Sequence, residues 1–212
     1  MGPVVGFDLD MTLLDTRPGI AATYRALVDA TGVPVDVDLA VSRLGPPLEH
    51  ELANWFPAGE IAAAVGTYRT LYRTLAIEPS LPLPGAAAAV AAVHAAGGRV
   101  VVITAKREPL ARLHLDHVGL VVDQLIGDVF ADGKQRALRT VRAEVYVGDH
   151  VADMRAAVGA GPGVTAVGVV TGPCDAGELT AAGAAVVLGS LLELPPWLAQ
   201  WSRPGETQEA HR

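Results

Sequence analysis

An α/β fold, a doubly wound parallel sheet carrying an inserted helical subdomain, is predicted by three features of this 212-residue sequence. Its short apolar runs are continuous rather than alternating, as strands are when helices cover both faces of a parallel sheet. From Gly85 onward, helical and extended text alternates regularly. Between Pro18 and Ile77, helical periodicity runs on with no convincing strand to interrupt it.

The first strand is Val4 to Asp8, an apolar run that ends on an acid. Pro18 suits a helix start, because the first turn has no use for its missing N–H, and Ile20, Tyr24, Leu27 and Val28 recur at helical spacing. Leu48 to Phe56 and Glu60 to Ala76 continue the pattern, the second with Ile61, Val65, Tyr68, Leu71, Tyr72 and Leu75 on one face. The proline-rich stretch from Glu78 to Gly85 stiffens the chain and reads as a return linker. Helix Ala86–Ala96, strand Arg99–Thr104, helix Pro109–Val118 and a short strand Gln124–Ile126 follow. Helix Lys134–Arg142, strand Glu144–Val147, helix Val151–Ala160, strand Val164–Val169, helix Ala176–Ala182 and strand Ala185–Leu188 complete the series. The expected organisation is a core of residues 1–15 and 84–200, a helical subdomain of residues 16–83, and a flexible polar tail at 201–212.

Composition narrows the function. Half of the residues are apolar and 18% are charged, a globular balance. A net charge of −7 disfavours nucleic acid and anionic membrane surfaces as partners, since both attract basic patches. Anionic small molecules stay open, because a bound cation reverses the local field. Cys174 is the only cysteine, so no internal disulfide forms and the cytoplasm is the expected compartment. The apolar run at Pro3 to Leu9 is too short for a signal peptide, and the Ala-rich helix is too short to span a bilayer. Oligomeric state is left open by the sequence.

Four segments carry the candidate chemistry: Asp8 to Thr12, Thr104 with Ala105, Lys134, and Gly148 to Asp153. Asp8, Thr104 and Asp149 each follow an apolar strand, and in open α/β sheets working groups gather beyond the strands' carboxyl ends. Asp8 and Asp10 offer one carboxylate to attack phosphorus and another to move a proton. The same residues with Thr12 also suit a turn that simply ends the strand. Thr104 and the N–H of Ala105 can donate to a phosphoryl oxygen, although a strand-terminal Thr also caps helices. Lys134 can neutralise a transferring group or remain a solvated surface lysine. Asp149 and Asp153, four apart across a helix start, suit Mg²⁺, which prefers oxygen ligands; capping and the helix dipole also explain such acids. Lys106, close to Thr104, and the basic Arg17 and Arg43 are candidates for the far end of a substrate. The histidines form no metal-ligand set, and the Asp132-Gly133-Lys134 run lacks the spacing of a phosphate loop.

The set Asp8-x-Asp10-x-Thr12, Thr104, Lys134 and Gly148-Asp149-x-x-x-Asp153 resembles the haloacid dehalogenase-like hydrolase superfamily. The likeness runs from Val4 to about Leu194 and is nearest to phosphoglycolate phosphatase-like members with a helical cap on a Rossmann-like core. Leu44 to Leu48 is similar to their substrate loop, and Gly168 to Gly172 to their last strand and turn. The resemblance implies Asp8 as nucleophile, Asp10 as general acid and base, and Thr104, Ala105 and Lys134 on the phosphoryl group. It implies Mg²⁺ on Asp8, the Asp10 backbone carbonyl and Asp149, with Asp153 as ligand or support. A small phosphorylated metabolite is the implied substrate and an aspartyl-phosphate the implied intermediate. A sugar-phosphate mutase on the same core, or a catalytically weak phospho-ligand binder, is the alternative. Two positions depart from the family pattern: Met11 stands where glycine is usual, and no Pro-x-Pro follows Lys134.

Overall fold

The computed structural model describes residues 2–202. Strand β1 (Val4–Phe7) leads through a tight loop to β2 (Leu14–Asp15) and into four helices, α1 (Arg17–Thr31), α2 (Val37–Ser42), α3 (Leu48–Leu52) and α4 (Ile61–Leu75). Strand β3 (Leu81–Pro82) returns antiparallel to β2, pairing Leu14 with Pro82 and Asp15 with Leu81. The helical excursion thus leaves and re-enters through a two-stranded ribbon. The chain continues through α5 (Ala86–Ala95), β4 (Arg99–Ile103), α6 (Glu108–Val118), β5 (Gln124–Ile126) and α7 (Asp132–Val141). It ends with β6 (Val145–Gly148), α8 (Val151–Ala160), β7 (Thr165–Val169), α9 (Ala176–Ala181), β8 (Val186–Leu188) and α10 (Leu194–Gln200).

Six strands pair in parallel in the order β5-β4-β1-β6-β7-β8. From β1 the chain builds outward through β4 and β5, then crosses back to place β6 on the other side of β1. That reversal opens a crevice beyond the carboxyl ends of β1, β4 and β6, where such sheets bind ligands.

Strand periodicity of two divides the core into two layers. Val5, Phe7, Val100, Val102, Val145 and Val147 pack on one face with Ala89 and Val93 of α5, Leu115 of α6 and Leu194 of α10. Val101, Ile103 and Tyr146 face the other way, against Leu138 of α7, Met154 of α8 and Leu179 of α9. Gly6 is fitted to this second layer, because a Cβ there would stand 2.8 Å from the Tyr146 ring. The four inserted helices have a separate core of Ile20, Tyr24, Leu27, Leu52, Phe56, Val65, Tyr68 and Tyr72.

Strands β2 and β3 and helix α10 have no counterpart in the sequence reading. The β2–β3 ribbon has two residues per strand, too few to leave a periodic signal. In α10, Pro195 and Pro196 occupy the first turn, where a missing N–H is not missed. Trp201, placed at the start of the predicted tail, donates from Nε1 to Thr165 Oγ1 at 3.1 Å. The tail beyond residue 202 lies outside the described residues. Among the described residues, no helix is long and apolar enough to cross a membrane.

Candidate active site

The β1 strand runs straight into the site. Asp8 extends the sheet by one hydrogen bond, its N–H donating to Val147 O at 2.9 Å. The chain then reverses: Leu9 O accepts from the N–H groups of Leu13 and Leu14, and Met11 N–H donates to Leu14 O. Met11 closes this loop in the left-handed region (φ 61°), which explains why glycine suits the position. Its carbonyl is clamped by Thr171 Oγ1 at 2.6 Å, and its side chain is buried.

Lys134, on the first turn of α7, is buried and bridges two carboxylates: Asp8 Oδ1 at 2.7 Å and Asp153 Oδ1 at 2.6 Å. Tyr146 OH also donates to Asp153 Oδ1 at 3.2 Å. Asp149, just past β6, accepts from Thr12 Oγ1 at 2.6 Å. Capping of α8 falls instead to His150, whose Nδ1 accepts from Ala152 N–H at 3.1 Å. Asp149 is therefore free of that duty. Two glycines make the approach possible. A Cβ on Gly148 would stand 2.5 Å from the Asp153 Cβ, and one on Gly172 only 1.8 Å from Asp149 Oδ2.

Asp8, Asp149 and Asp153 each present a ligand oxygen, all within 4.8 Å of one another. Three buried carboxylates against one ammonium leave two negative charges if all are ionised. Burial pushes the Asp8 carboxyl from 3.8 up to about 7 against the pull of Lys134, with Asp153 and Asp10 adding to the rise. Burial likewise holds Asp149 well above the carboxylate range, helped by Asp8 and Asp153. Burial would lower Lys134, but Asp153 and Asp8 keep it well above its ordinary value. Hard oxygen donors with two excess negative charges fit a divalent cation of the Mg²⁺ type.

Asp10 lies outside this cluster. Its Oδ1 accepts from Lys106 Nζ and from Thr16 Oγ1, both at 2.5 Å. Burial alone would raise its carboxyl, but the Lys106 ammonium and the two hydrogen bonds hold it below its ordinary value. Lys106 Nζ also donates to Tyr72 OH at 2.7 Å, from α4 of the helical unit. Thr104 directly follows β4, its Oγ1 accepting from Lys106 N–H, so it does not cap α6, whose N-cap is Arg107. The hydroxyl hydrogen of Thr104 remains available to a ligand.

Asp8, Asp10, Thr104, Ala105 and Lys106 line one cavity of about 280 Å³. Its opposite wall is built from the helical unit, with Tyr24, Arg43, Tyr68 and Arg69 among its residues. A second, far smaller cavity shares Asp8, Asp10, Gly45 and Phe130 with it and reaches Lys134, Asp149 and Asp153. All seven residues singled out in the sequence therefore meet at one edge of the sheet. Of the basic candidates for the far end of a substrate, Arg43 lines the helical wall, and Lys106 lines the core side while paired with Asp10. Arg17 pairs with Asp15 at 2.7 Å and is half-exposed. Thr12, Thr16, Tyr72 and His114 were not singled out as polar participants. Thr12 carried a signal, since its hydroxyl sits two residues from Asp10; the hydroxyl of Tyr72 was hidden in the apolar face of its helix.

A model of the haloacid dehalogenase-like hydrolase family matches residues 5–158. The chain is 32% identical over 187 residues to the tyrosine-protein kinase PtkA of Mycobacterium tuberculosis, covering 81% of this chain and 64% of that protein. It thus spans somewhat less than two thirds of that relative's length. Against a phosphoglycolate phosphatase of Xylella fastidiosa it is 33% identical over 175 residues, covering 73% of this chain and 75% of the other. A solved haloacid dehalogenase-like family hydrolase from Streptococcus pneumoniae matches with a TM-score of 0.81 at 22% identity. That match covers 92% of this chain and 97% of the other, a likeness of fold.

Proposed function

The chain belongs to the haloacid dehalogenase-like hydrolases, and on that premise we propose that it is a Mg²⁺-dependent phosphatase of a small phosphomonoester, acting in the cytoplasm. One observation carries the reading. Asp8, in a buried cluster with two further carboxylates and one ammonium, stands two residues from a separately paired acid, Asp10.

Asp8 Oδ attacks phosphorus, forming an aspartyl-phosphate as the ester bond to the alcohol breaks. Asp10 gives its proton to the departing oxygen, then takes one from the water that hydrolyses the acyl phosphate. Lys134 holds Asp8 in line and offsets charge on the phosphoryl oxygens, to which Thr104 Oγ1 and Ala105 N–H donate. Asp8, Asp149, Asp153 and the Asp10 carbonyl would hold the divalent cation, which supplies electrostatic stabilisation of the transferring group. The helical unit of residues 16–83 serves as a cap over a core of residues 1–15 and 84–200, and excludes bulk water.

The test is phosphate release from a panel of small phosphomonoesters, phosphoglycolate among them because several relatives bear that name. Release is expected with Mg²⁺, lost with chelator and lost in Asp8→Asn. A folded protein that releases phosphate from no panel member would refute the reading. The likeness to a protein named as a tyrosine kinase favours one other outcome, transfer to a tyrosine hydroxyl in place of water. Label passing from a nucleotide to a tyrosine-containing acceptor, without phosphate release, would establish it.

A further inference from the structure

Lys106 sits between Asp10 of the core and Tyr72 of the cap, with Nζ 2.5 Å from Asp10 Oδ1 and 2.7 Å from the phenol oxygen. Tyr72 OH is in turn 2.8 Å from Nε2 of His114, a fully buried residue on α6. The proposed mechanism gives neither aromatic residue a task.

The donors fix the direction of this chain. An ammonium only donates, so the Tyr72 oxygen accepts from Lys106 and its own hydrogen must go elsewhere. His114 Nε2 is in place to take it, provided that nitrogen carries no proton. Burial, with Lys106 nearby, lowers the imidazole to about 3, so the ring stays neutral with its proton on Nδ1. His114 Nδ1 is buried with no hydrogen-bond partner among the described residues, so its N–H goes unsatisfied and the ring is oriented through Nε2 alone. Lys106 also lies over the Tyr72 ring, 5.0 Å from its centroid, a cation–π contact that survives loss of the hydroxyl.

We propose that Tyr72 and His114 are positioning residues for the acid–base step: through the phenol, His114 on the core and Tyr72 on the cap hold the Lys106 ammonium against Asp10 Oδ1. With Thr16 donating to the same oxygen, the carboxylate is pinned at one end and its Oδ2 is left for the leaving oxygen and then for water. Because Tyr72 comes from the cap and the other members from the core or the hinge beside it, the acid is aligned only when the cap is seated. The proposal rests on the phosphatase reading for its kinetic consequence, but the hydrogen-bond chain itself does not.

Positioning of a general acid is read by leaving-group dependence. Phenyl phosphate and 4-nitrophenyl phosphate have nearly the same shape, but nitrophenolate departs with little need of a proton. General acid catalysis is typically worth about 10²–10⁴-fold, and a misaligned acid forfeits part of that. Tyr72→Phe, which deletes one oxygen, is expected to lower kcat/KM about 10- to 100-fold for phenyl phosphate and far less for the nitrophenyl ester. His114→Leu should do the same, and His114→Gln, which restores an acceptor at that place, should recover much of the loss. Equal loss on both esters, or no loss, with melting temperature unchanged would overturn the proposal.

Imidazole ¹⁵N NMR on the whole chain tests it without turnover. His114 Nε2 is expected as an unprotonated acceptor that shifts in Tyr72→Phe; a protonated Nε2, or no shift, would also overturn it. A wild type that hydrolyses neither ester but gives the expected NMR signature would condemn the phosphatase reading and leave the hydrogen-bond chain standing.

Discussion

Replacing Asp8 by asparagine should abolish phosphate release and, at the same time, stabilise the metal-free protein above neutral pH. The magnitude follows from the site. Asp8 is raised from 3.8 to about 7 by burial and by Asp153 and Asp10, even with Lys134 at 2.7 Å. A carboxyl whose folded value lies above its unfolded one contributes stability below about pH 4 and loses it as pH climbs through about 7. Roughly three units at 1.36 kcal/mol each give about 4 kcal/mol as the upper figure for ionising Asp8 in the fold. Neighbouring charges that adjust will reduce it. Asparagine keeps the shape and an oxygen for Lys134 without the charge. In chelator at pH 8 the variant should therefore melt higher, by up to roughly 10 °C for a chain of this size. The gap should close on acidification towards pH 4. Added Mg²⁺ should narrow it too, because the wild type retains all three carboxylates and gains more from the ion. Differential scanning calorimetry across pH, with and without Mg²⁺, reads all of this. A variant no more stable than wild type at pH 8, or a gap that ignores pH, would refute the account of the buried charge.

Lys134→Met strips the cluster of its ammonium, and in the metal-free form at neutral pH should destabilise the fold by about 3–5 kcal/mol in urea unfolding; an unchanged midpoint would show that the carboxylates are already neutral. Gly172→Ala drives a Cβ into Asp149 Oδ2, so affinity for a divalent cation by titration calorimetry should fall about tenfold or more, and an unaltered affinity would mean Asp149 is no ligand. Met11→Gly removes a left-handed strain of about 1–2 kcal/mol but also a buried side chain worth about 1.5–3 kcal/mol and stiffness in the unfolded chain worth about 0.5–1 kcal/mol. The net expectation is a loss of about 1–2 kcal/mol, and a stabilised variant would show that the Met11 thioether packs against nothing that matters.

What the sequence discloses depends on how local the cause is. The strands are legible because Val4 to Phe7, Val100 to Ile103 and Val145 to Gly148 are each uninterrupted by a charged residue. The convergence of Asp8, Thr104 and Asp149 was legible because each follows such a strand, and parallel strands bring their ends to one edge. The partners were not. Lys106 reads as a residue for a substrate's far end, and it sits on Asp10 with a phenol from α4 beside it. The sequence puts Tyr72 on the apolar face of its helix, and its ring is buried with Tyr68; where its hydroxyl goes is settled by packing against α6, far off in sequence. Asp149 and a cap are interchangeable on paper. The helix start one residue later, on His150, separates them.

Asp8 and Asp10, two residues apart, are driven in opposite directions, and the reason lies in the loop between them. The reversal at Leu9 and Met11 leaves Asp8 on the sheet, among carboxylates that outnumber their ammonium, and turns Asp10 away to one of its own. An Asp10 held ionised by Lys106 suits the half of the proposed cycle that takes a proton from water. The other half needs the proton already present. A phosphomonoester dianion arriving between Asp8 and Asp10 supplies like charge beside Asp10, which favours its protonated form. Departure of the alcohol, with the phosphoryl group drawn onto Asp8, weakens that pressure. Substrate charge, set against a lysine pinned by the cap, can thus move one carboxyl between acid and base within a single turnover.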